Sequence, residues 1–197
     1  MRIMPGEGYP LGATCQPGGV NFALYSVHAT GVVLLLFGAS DAVPEHEVRL
    51  ETRTRNVWHA FVAGLRAGQR YAYRVEGPYE PAQGLRFNPN KLLIDPYARA
   101  LHGPRRSTDE RLLGYDPQAG DLWFDRRDDA DGVPKGVVVD DAFDWAGDRP
   151  PAYRLEESVV YEVHVKGFTA HPSAGVAQPG TYLGIIEKIP PDVQVGG

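Results

Sequence analysis

The chain has 197 residues, 43% of them hydrophobic and 23% charged, with a formal net charge of −5. These fractions lie near the globular averages of about 45–50% and about 25%, which excludes a disordered or fibrous chain, and scattered Lys and Arg residues exclude the basic footprint of a nucleic-acid binder. The single cysteine, Cys15, excludes an intramolecular disulfide and a cysteine-rich zinc site, and it suits a reducing compartment.

The first six residues contain no apolar core of a secretory signal. The longest apolar run, residues 32–37, is far below the roughly 20 residues needed to cross a bilayer. A cytoplasmic protein without a membrane partner is expected. From residue 19 to residue 77 the pattern has a period of two. Val20, Phe22 and Leu24 alternate with Asn21, Ala23 and Tyr25, and Tyr71, Tyr73 and Val75 alternate with Arg70, Ala72 and Arg74. This predicts half-buried antiparallel strands, each with one apolar face. The run 32–37 is apolar on both faces and is predicted to be central, with shorter strands at 46–50 and 57–63. Turns come from Gly31, from Gly64-Leu65-Arg66-Ala67-Gly68 and from Gly77-Pro78. Short strands so spaced predict an immunoglobulin-like β-sandwich.

Beyond Gly77 the alternation fades. Residues 78–135 read as a compact, Pro-punctuated excursion with a short helix over 97–101, followed by a solvated charged loop over 103–132. A strand is expected at 137–139, with Phe143 and Trp145 as anchors. At 158–166, Val159, Val160, Tyr161, Val163 and Val165 leave only Glu162 and His164 polar, as in a parallel-sheet strand covered on both faces. The architecture is therefore expected to change near residue 155, giving domains 1–154 and 155–197. Leu183, Ile186 and Ile189, spaced by three, predict a helix over 181–189 that Pro190-Pro191 stops.

Several collinear blocks carry a family resemblance. They are Tyr9-Pro10-Leu11-Gly12-Ala13-Thr14, Gly19-Val20-Asn21-Phe22-Ala23-Leu24-Tyr25-Ser26, Gly84-Leu85-Arg86-Phe87-Asn88-Pro89-Asn90-Lys91-Leu92-Leu93-Ile94-Asp95-Pro96-Tyr97-Ala98, Pro134-Lys135-Gly136-Val137-Val138-Val139-Asp140 with Phe143-Asp144-Trp145, and Tyr161-Glu162-Val163-His164-Val165-Lys166-Gly167-Phe168-Thr169. Together they resemble the glycogen-debranching and isoamylase group of glycoside hydrolase family 13. The resemblance implies a sandwich like carbohydrate-binding module 48, followed at 160–166 by the strand that opens a (β/α)8 barrel. The expected fold class is thus mainly β, an immunoglobulin-like β-sandwich followed by an incomplete start of a (β/α)8 barrel. The implied reaction is retaining hydrolysis of α-1,6 branches in glycogen or related α-glucans, including maltooligosaccharides. Its aspartate nucleophile, glutamate acid/base and second aspartate lie on later barrel strands, and after Pro190 the text departs from the family pattern, as a truncated or altered frame would. No catalytic residue carries over, and the chain is expected to be inactive alone. A free-standing glucan-binding or scaffold module, and the N-terminal part of a branching or trehalose-releasing sibling, stay open as alternatives.

Glycoside hydrolysis requires two carboxylates across a sugar bond. Asp140, Asp141 and Asp144, and Glu156 and Glu157, read instead as loop caps and surface ion pairs. Glu162 and His164 share a strand face, where Glu162 is expected to find a structural partner and His164 to be either structural or substrate-lining. Aligned as an EF-hand, the acidic run 125–132 puts Arg127 at the first ligand and Val138 at the last, so no metal site is proposed, and no motif for a cofactor occurs. Among Trp58, Tyr71, Tyr73, Tyr79 and Trp123, whose rings could stack on a sugar face, Tyr71 and Tyr73 are expected in the core. Tyr79, past a Gly-Pro turn, is expected to be exposed and, with His164, to line substrate. The orphaned barrel strand presents an open edge that invites self-association.

Overall fold

The computed structural model describes residues 1–103, 108–150 and 152–189. It divides into two compact units, Met1–Asp141 and a second from Ala142 onward, so the division falls ahead of residue 155.

In the first unit the strands are β1 (Arg2–Met4), β2 (Gly12–Gln16), β3 (Gly19–Tyr25), β4 (Gly31–Phe37), β5 (His46–Arg49), β6 (Thr52–Thr54), β7 (Val57–Ala63) and β8 (Arg70–Glu76). They are followed by β9 (Tyr79–Glu80), β10 (Leu85–Arg86), β11 (Ala100–His102), β12 (Tyr115–Asp116), β13 (Gly120–Phe124) and β14 (Lys135–Val137). One sheet runs β1-β7-β3-β2, with β6 also on β7, and the other runs β11-β14-β8-β4-β5; every pairing is antiparallel. The alternation in β3 and β8 turns Val20, Phe22, Leu24, Tyr71, Tyr73 and Val75 into the space between the sheets, where they meet Val32, Leu34, Leu36 and Val62. Phe22 lies edge-on to Tyr71, ring centroids 5.2 Å apart. The expected sandwich is therefore formed, with β4 paired on both sides.

The opposite faces are covered as well, which one-sided alternation did not predict. The N-terminal segment crosses the outside of β3. There the Asn21 side chain accepts from the Glu7 N–H at 2.8 Å and donates to the Glu7 carbonyl at 2.9 Å, so this polar residue is fully buried without loss. Gly6 is needed here, because a Cβ would stand 2.3 Å from Asn21 Oδ1 and 2.6 Å from the Ala60 carbonyl carbon. On the second sheet, Leu35, Phe37 and Ala72 form a smaller outer core with Leu92. The segment between β8 and β14 thus folds back as an overlay on the sheet.

The overlay corrects two expectations. No helix forms at 97–101, where the chain instead enters β11 and pairs with β14, satisfying the backbone in a ladder. The supposed solvated loop contains the β12–β13 hairpin and the buried residues Asp125, Asp129 and Ala130. Composition marked this segment as charged but could not show that its charges have partners inside the fold.

In the second unit the described residues contain two short helices, α1 (Val165–Thr169) and α2 (Tyr182–Ile186). The strand expected at 158–166 is not formed: 158–164 has no regular structure and α1 begins at Val165. A strand requires ladder partners for its backbone groups, and no strand lies among this unit's described residues. Glu162 is accordingly exposed rather than buried beside a partner. Phe143 and Trp145, expected as anchors, are exposed and pack edge-on against each other at 4.8 Å. Helix α2 falls within the expected 181–189 and is capped by Thr181, whose side chain accepts from Gly184 N–H; the stop at Pro190-Pro191 lies outside the described residues. No helix among the described residues is long and apolar enough to cross a membrane.

Candidate functional site

The overlay is latched to itself by the Asn-Pro-Asn-Lys turn. Buried Asn88 donates to the carbonyls of Gly114 and Asp125 at 3.0 and 2.7 Å, and its own side-chain oxygen accepts from Asn90 N–H. Lys91 Nζ, also buried, donates to the carbonyls of Arg111 and Arg127 at 2.7 and 2.8 Å and lies 3.6 Å from the Asp125 carboxylate. Asp125 in turn binds Arg127, and Asp129 accepts from Leu92 N–H at 2.8 Å. Lys135, fully buried, donates to the carbonyls of Ala130 and Val133 and places Nζ 5.0 Å from the Phe37 ring centre. Lys91, Lys135 and Asp125 thus each have several partners and Asp129 has the Leu92 N–H, the condition under which burial is tolerated.

The electrostatics follow from these contacts. Hydrogen bonds from the Arg127 side chain hold the Asp125 carboxyl down to about 2, helped by the Lys91 charge and opposed by burial. Burial raises the Asp129 and Asp95 carboxyls and lowers the Lys135 ammonium. These perturbed groups have structural partners, so they read as ties within the fold.

Two concavities flank the overlay. The larger, about 740 Å³, is lined mostly by apolar residues, among them Val75, Leu85, Phe87, Leu93, Ile94 and Val133. The smaller, about 440 Å³, opens at the β12–β13 hairpin beside Trp123 and Gln118. Tyr79 is half-buried rather than exposed. Its hydroxyl donates to the Asp121 carbonyl at 3.0 Å and its ring lies 5.4 Å from that of Phe124, while Arg86 pairs with the Asp121 carboxylate. Tyr79 therefore joins the β9–β10 hairpin to β13.

The structure places the other sequence candidates as follows. Tyr71 and Tyr73 are in the core. Trp58 packs against that core beneath Arg53, whose guanidinium lies 5.1 Å from its ring centre, and Trp123 is 66% exposed. His164 lies in the second unit, exposed, where its Nδ1 accepts from Gly167 N–H at 2.9 Å and caps α1. Among the described residues no group of three or more His, Cys, Asp or Glu side chains is arranged to hold a metal ion. Sequence reasoning missed the latch formed by Asn88, Lys91, Asp125, Asp129 and Lys135. The available signal was the pairing of a Lys or Asn in an apolar turn with an acidic run some thirty-five residues on.

Residues 10–98 match the family model of carbohydrate-binding module 48, the isoamylase N-terminal domain. The sandwich is a module of this family. Over 187 residues the chain is 47% identical to a glycogen debranching enzyme of Serratia proteamaculans (strain 568), covering 93% of this chain and 27% of that protein. Over 186 residues it is 45% identical to the glycogen debranching enzyme of Yersinia enterocolitica serotype O:8 / biotype 1B, again 93% of this chain and 27% of the relative. The chain thus spans about a quarter of the length of these curated relatives. Among solved structures, a Paenibacillus barengoltzii pullulanase complexed with maltohexaose and α-cyclodextrin superimposes with a TM-score of 0.61 at 24% identity, over 97% of this chain and 25% of that one. The catalytic module of the glycogen-degrading pneumococcal virulence factor SpuA in complex with an inhibitor gives a TM-score of 0.62 at 24% identity, over 91% and 24%. These structural likenesses establish the fold. The module match ends at residue 98, so the latch residues Asn88 and Lys91 belong to the module while their partners from 111 to 127 lie beyond it.

Proposed function

We propose that this chain is the non-catalytic N-terminal portion of an α-1,6-glucan debranching hydrolase of glycoside hydrolase family 13, acting on glycogen or related α-glucans in the cytoplasm. The observation that carries the reading is identity of 47% over 93% of the chain to a glycogen debranching enzyme. The chain spans 27% of that enzyme, and the catalytic carboxylates are assigned to the remainder. The sandwich supplies a stiff body, because the overlay is tied to it by buried, multiply bonded side chains and by the Tyr73–Leu93 backbone bridge. Such a body holds a neighbouring catalytic domain in a fixed shape without contributing to bond cleavage. Residues from 155 onward are assigned to the start of the barrel.

His164 and Tyr79 are the substrate-lining residues of this proposal. With Nδ1 committed to the Gly167 N–H, His164 keeps Nε2 for a sugar hydroxyl. Tyr79, its hydroxyl engaged by Asp121, would line a glucan through its ring edge.

The experiment is an exchange of the aligned segment of the Serratia enzyme for this chain. The chimera is expected to release reducing ends from glycogen and pullulan, while the chain alone releases none. Turnover by the chain alone that survives repurification, or a folded chimera that is inactive where its parent is active, would overturn the proposal.

A further inference from the structure

We infer that the cleft at the β12–β13 hairpin, built on Trp123 and lying outside the module's matched residues, is a carbohydrate-binding subsite for an α-glucan chain. The choice of α-glucan rests on the debranching reading; the choice of carbohydrate rests on the cleft itself.

Trp123 carries the inference. Its ring is 66% exposed on a strand that the fold holds rigidly from below. Asp121, two residues earlier, takes hydrogen bonds from Tyr79 and Arg86, and Phe124, one residue later, contacts the tilted Tyr79 ring and the Arg126 guanidinium, each 5.4 Å away. The strand therefore spends its inward contacts on Phe124, and alternation turns Trp123 out. The indole has no ring partner among the described residues. What sets this ring apart is the concavity it lines, which gives its flat apolar face polar groups beside it.

The surroundings select the ligand class. Gln118, Asp116 and Glu110 line the same cleft of about 440 Å³. Asp116 uses Oδ1 to accept from the N–H groups of Gln118 and Ala119, which closes the hairpin turn and leaves Oδ2 without a hydrogen bond among the described residues. The Gln118 side chain is exposed. A pyranose presents an apolar C–H face and a rim of hydroxyls that both donate and accept. The cleft sets the Trp123 indole beside carboxylates, guanidinium groups and the Gln118 amide, so it offers a stacking face together with hydrogen-bond acceptors and donors. A lipid would need continuous apolar walls, whereas here Pro117, Ala119, Trp123 and Phe124 share the lining with charged and amide side chains, and an anion would meet Glu110, Asp116 and Asp125 against Arg126 and Arg127, the latter already paired with Asp125. The neutral, polyhydroxylated class remains.

The test is an NMR titration of the full chain with maltohexaose, reading the three tryptophan indole N–H signals. Trp58 and Trp145 serve as internal controls for the Trp123 signal. The Trp123 signal is expected to move with a dissociation constant on the order of millimolar, as suits one open stacking platform. Trp123→Ala should abolish the remaining ligand-induced backbone shifts at 115–124, and Gln118→Ala should weaken binding several-fold; both positions are exposed, so the fold is retained. A Trp123 signal unmoved at ~20 mM maltohexaose, or movement confined to Trp58 or Trp145, overturns the subsite. The debranching reading then stands or falls separately by the chimera assay. Cellohexaose provides the second control: movement of Trp123 with it and not with maltohexaose keeps a carbohydrate site and overturns its assignment to α-glucan.

Discussion

The Tyr71 hydroxyl donates to Asp95 Oδ2 at 2.8 Å in the interior of the first unit, tying a core strand to a turn within the overlay. Asp95 Oδ1 accepts from Tyr97 N–H, so both carboxylate oxygens are used. Tyr71→Phe removes one donor and leaves a buried acceptor, which should cost about 1–3 kcal/mol in urea unfolding. Burial raises the Asp95 carboxyl, and the Tyr71 bond opposes that rise. The ionised form is the one that burial penalises, so the penalty appears as pH climbs through the raised value. Losing Tyr71 raises the carboxyl further. The difference between wild type and Tyr71→Phe should therefore widen from pH 4 towards pH 7, and a difference that narrows would place the bond elsewhere.

Asp125 titrates with the opposite sign. Its folded value, down to about 2 chiefly through Arg127, lies below the ordinary carboxylate range. Its contribution is complete above about pH 4 and is lost as pH falls towards 2. Asp125→Asn should lower the melting temperature at pH 6 and leave a shallower acid limb between pH 4 and pH 2 than wild type. Parallel acid limbs would show that Asp125 is not held by these partners.

Lys91→Met tests whether the latch holds the overlay. Removing the ammonium leaves the carbonyls of Arg111 and Arg127 without their donor and withdraws a cation from buried Asp125. Breaking a buried pair from one side costs about 3–5 kcal/mol. Hydrogen exchange should accelerate over 108–132 while β3, β4 and β8 stay protected. Uniform acceleration across both regions would mean that overlay and sandwich open as one.

Association through the second unit is a further expectation. Leu155, Val159, Val160 and Tyr161 are each at least 80% exposed. Each large apolar side chain left in water forgoes about 1.5–3 kcal/mol of burial. In sedimentation at rising concentration the full chain should self-associate, and a shortened chain ending at Arg154 should remain a monomer. Identical monomeric behaviour would remove the argument.

Local pattern decided much of this fold. Period-two alternation at 19–25 and 70–76 sufficed to find β3 and β8 and their inward faces, because a strand's side chains alternate whatever its neighbours are. The two-sided apolar run at 32–37 likewise marked a covered strand, and both of its faces are buried. Collinear blocks identified the family. What covers an outer face depends on partners distant in sequence. Asn21 is polar yet buried because Glu7 folds over it, and Lys91 is charged yet buried because carbonyls twenty and thirty-six residues away converge on it. The same dependence on partners explains 158–164: its β-branched content favours a strand, but a strand exists only where another backbone completes its hydrogen bonds. For the candidate site, the sequence could name Tyr79 and Trp123 as aromatic. Only the fold decided that Tyr79 turns its hydroxyl to Asp121 and braces β13, leaving Trp123 as the ring that faces water, since a strand that packs one side chain inward must present the next one outward.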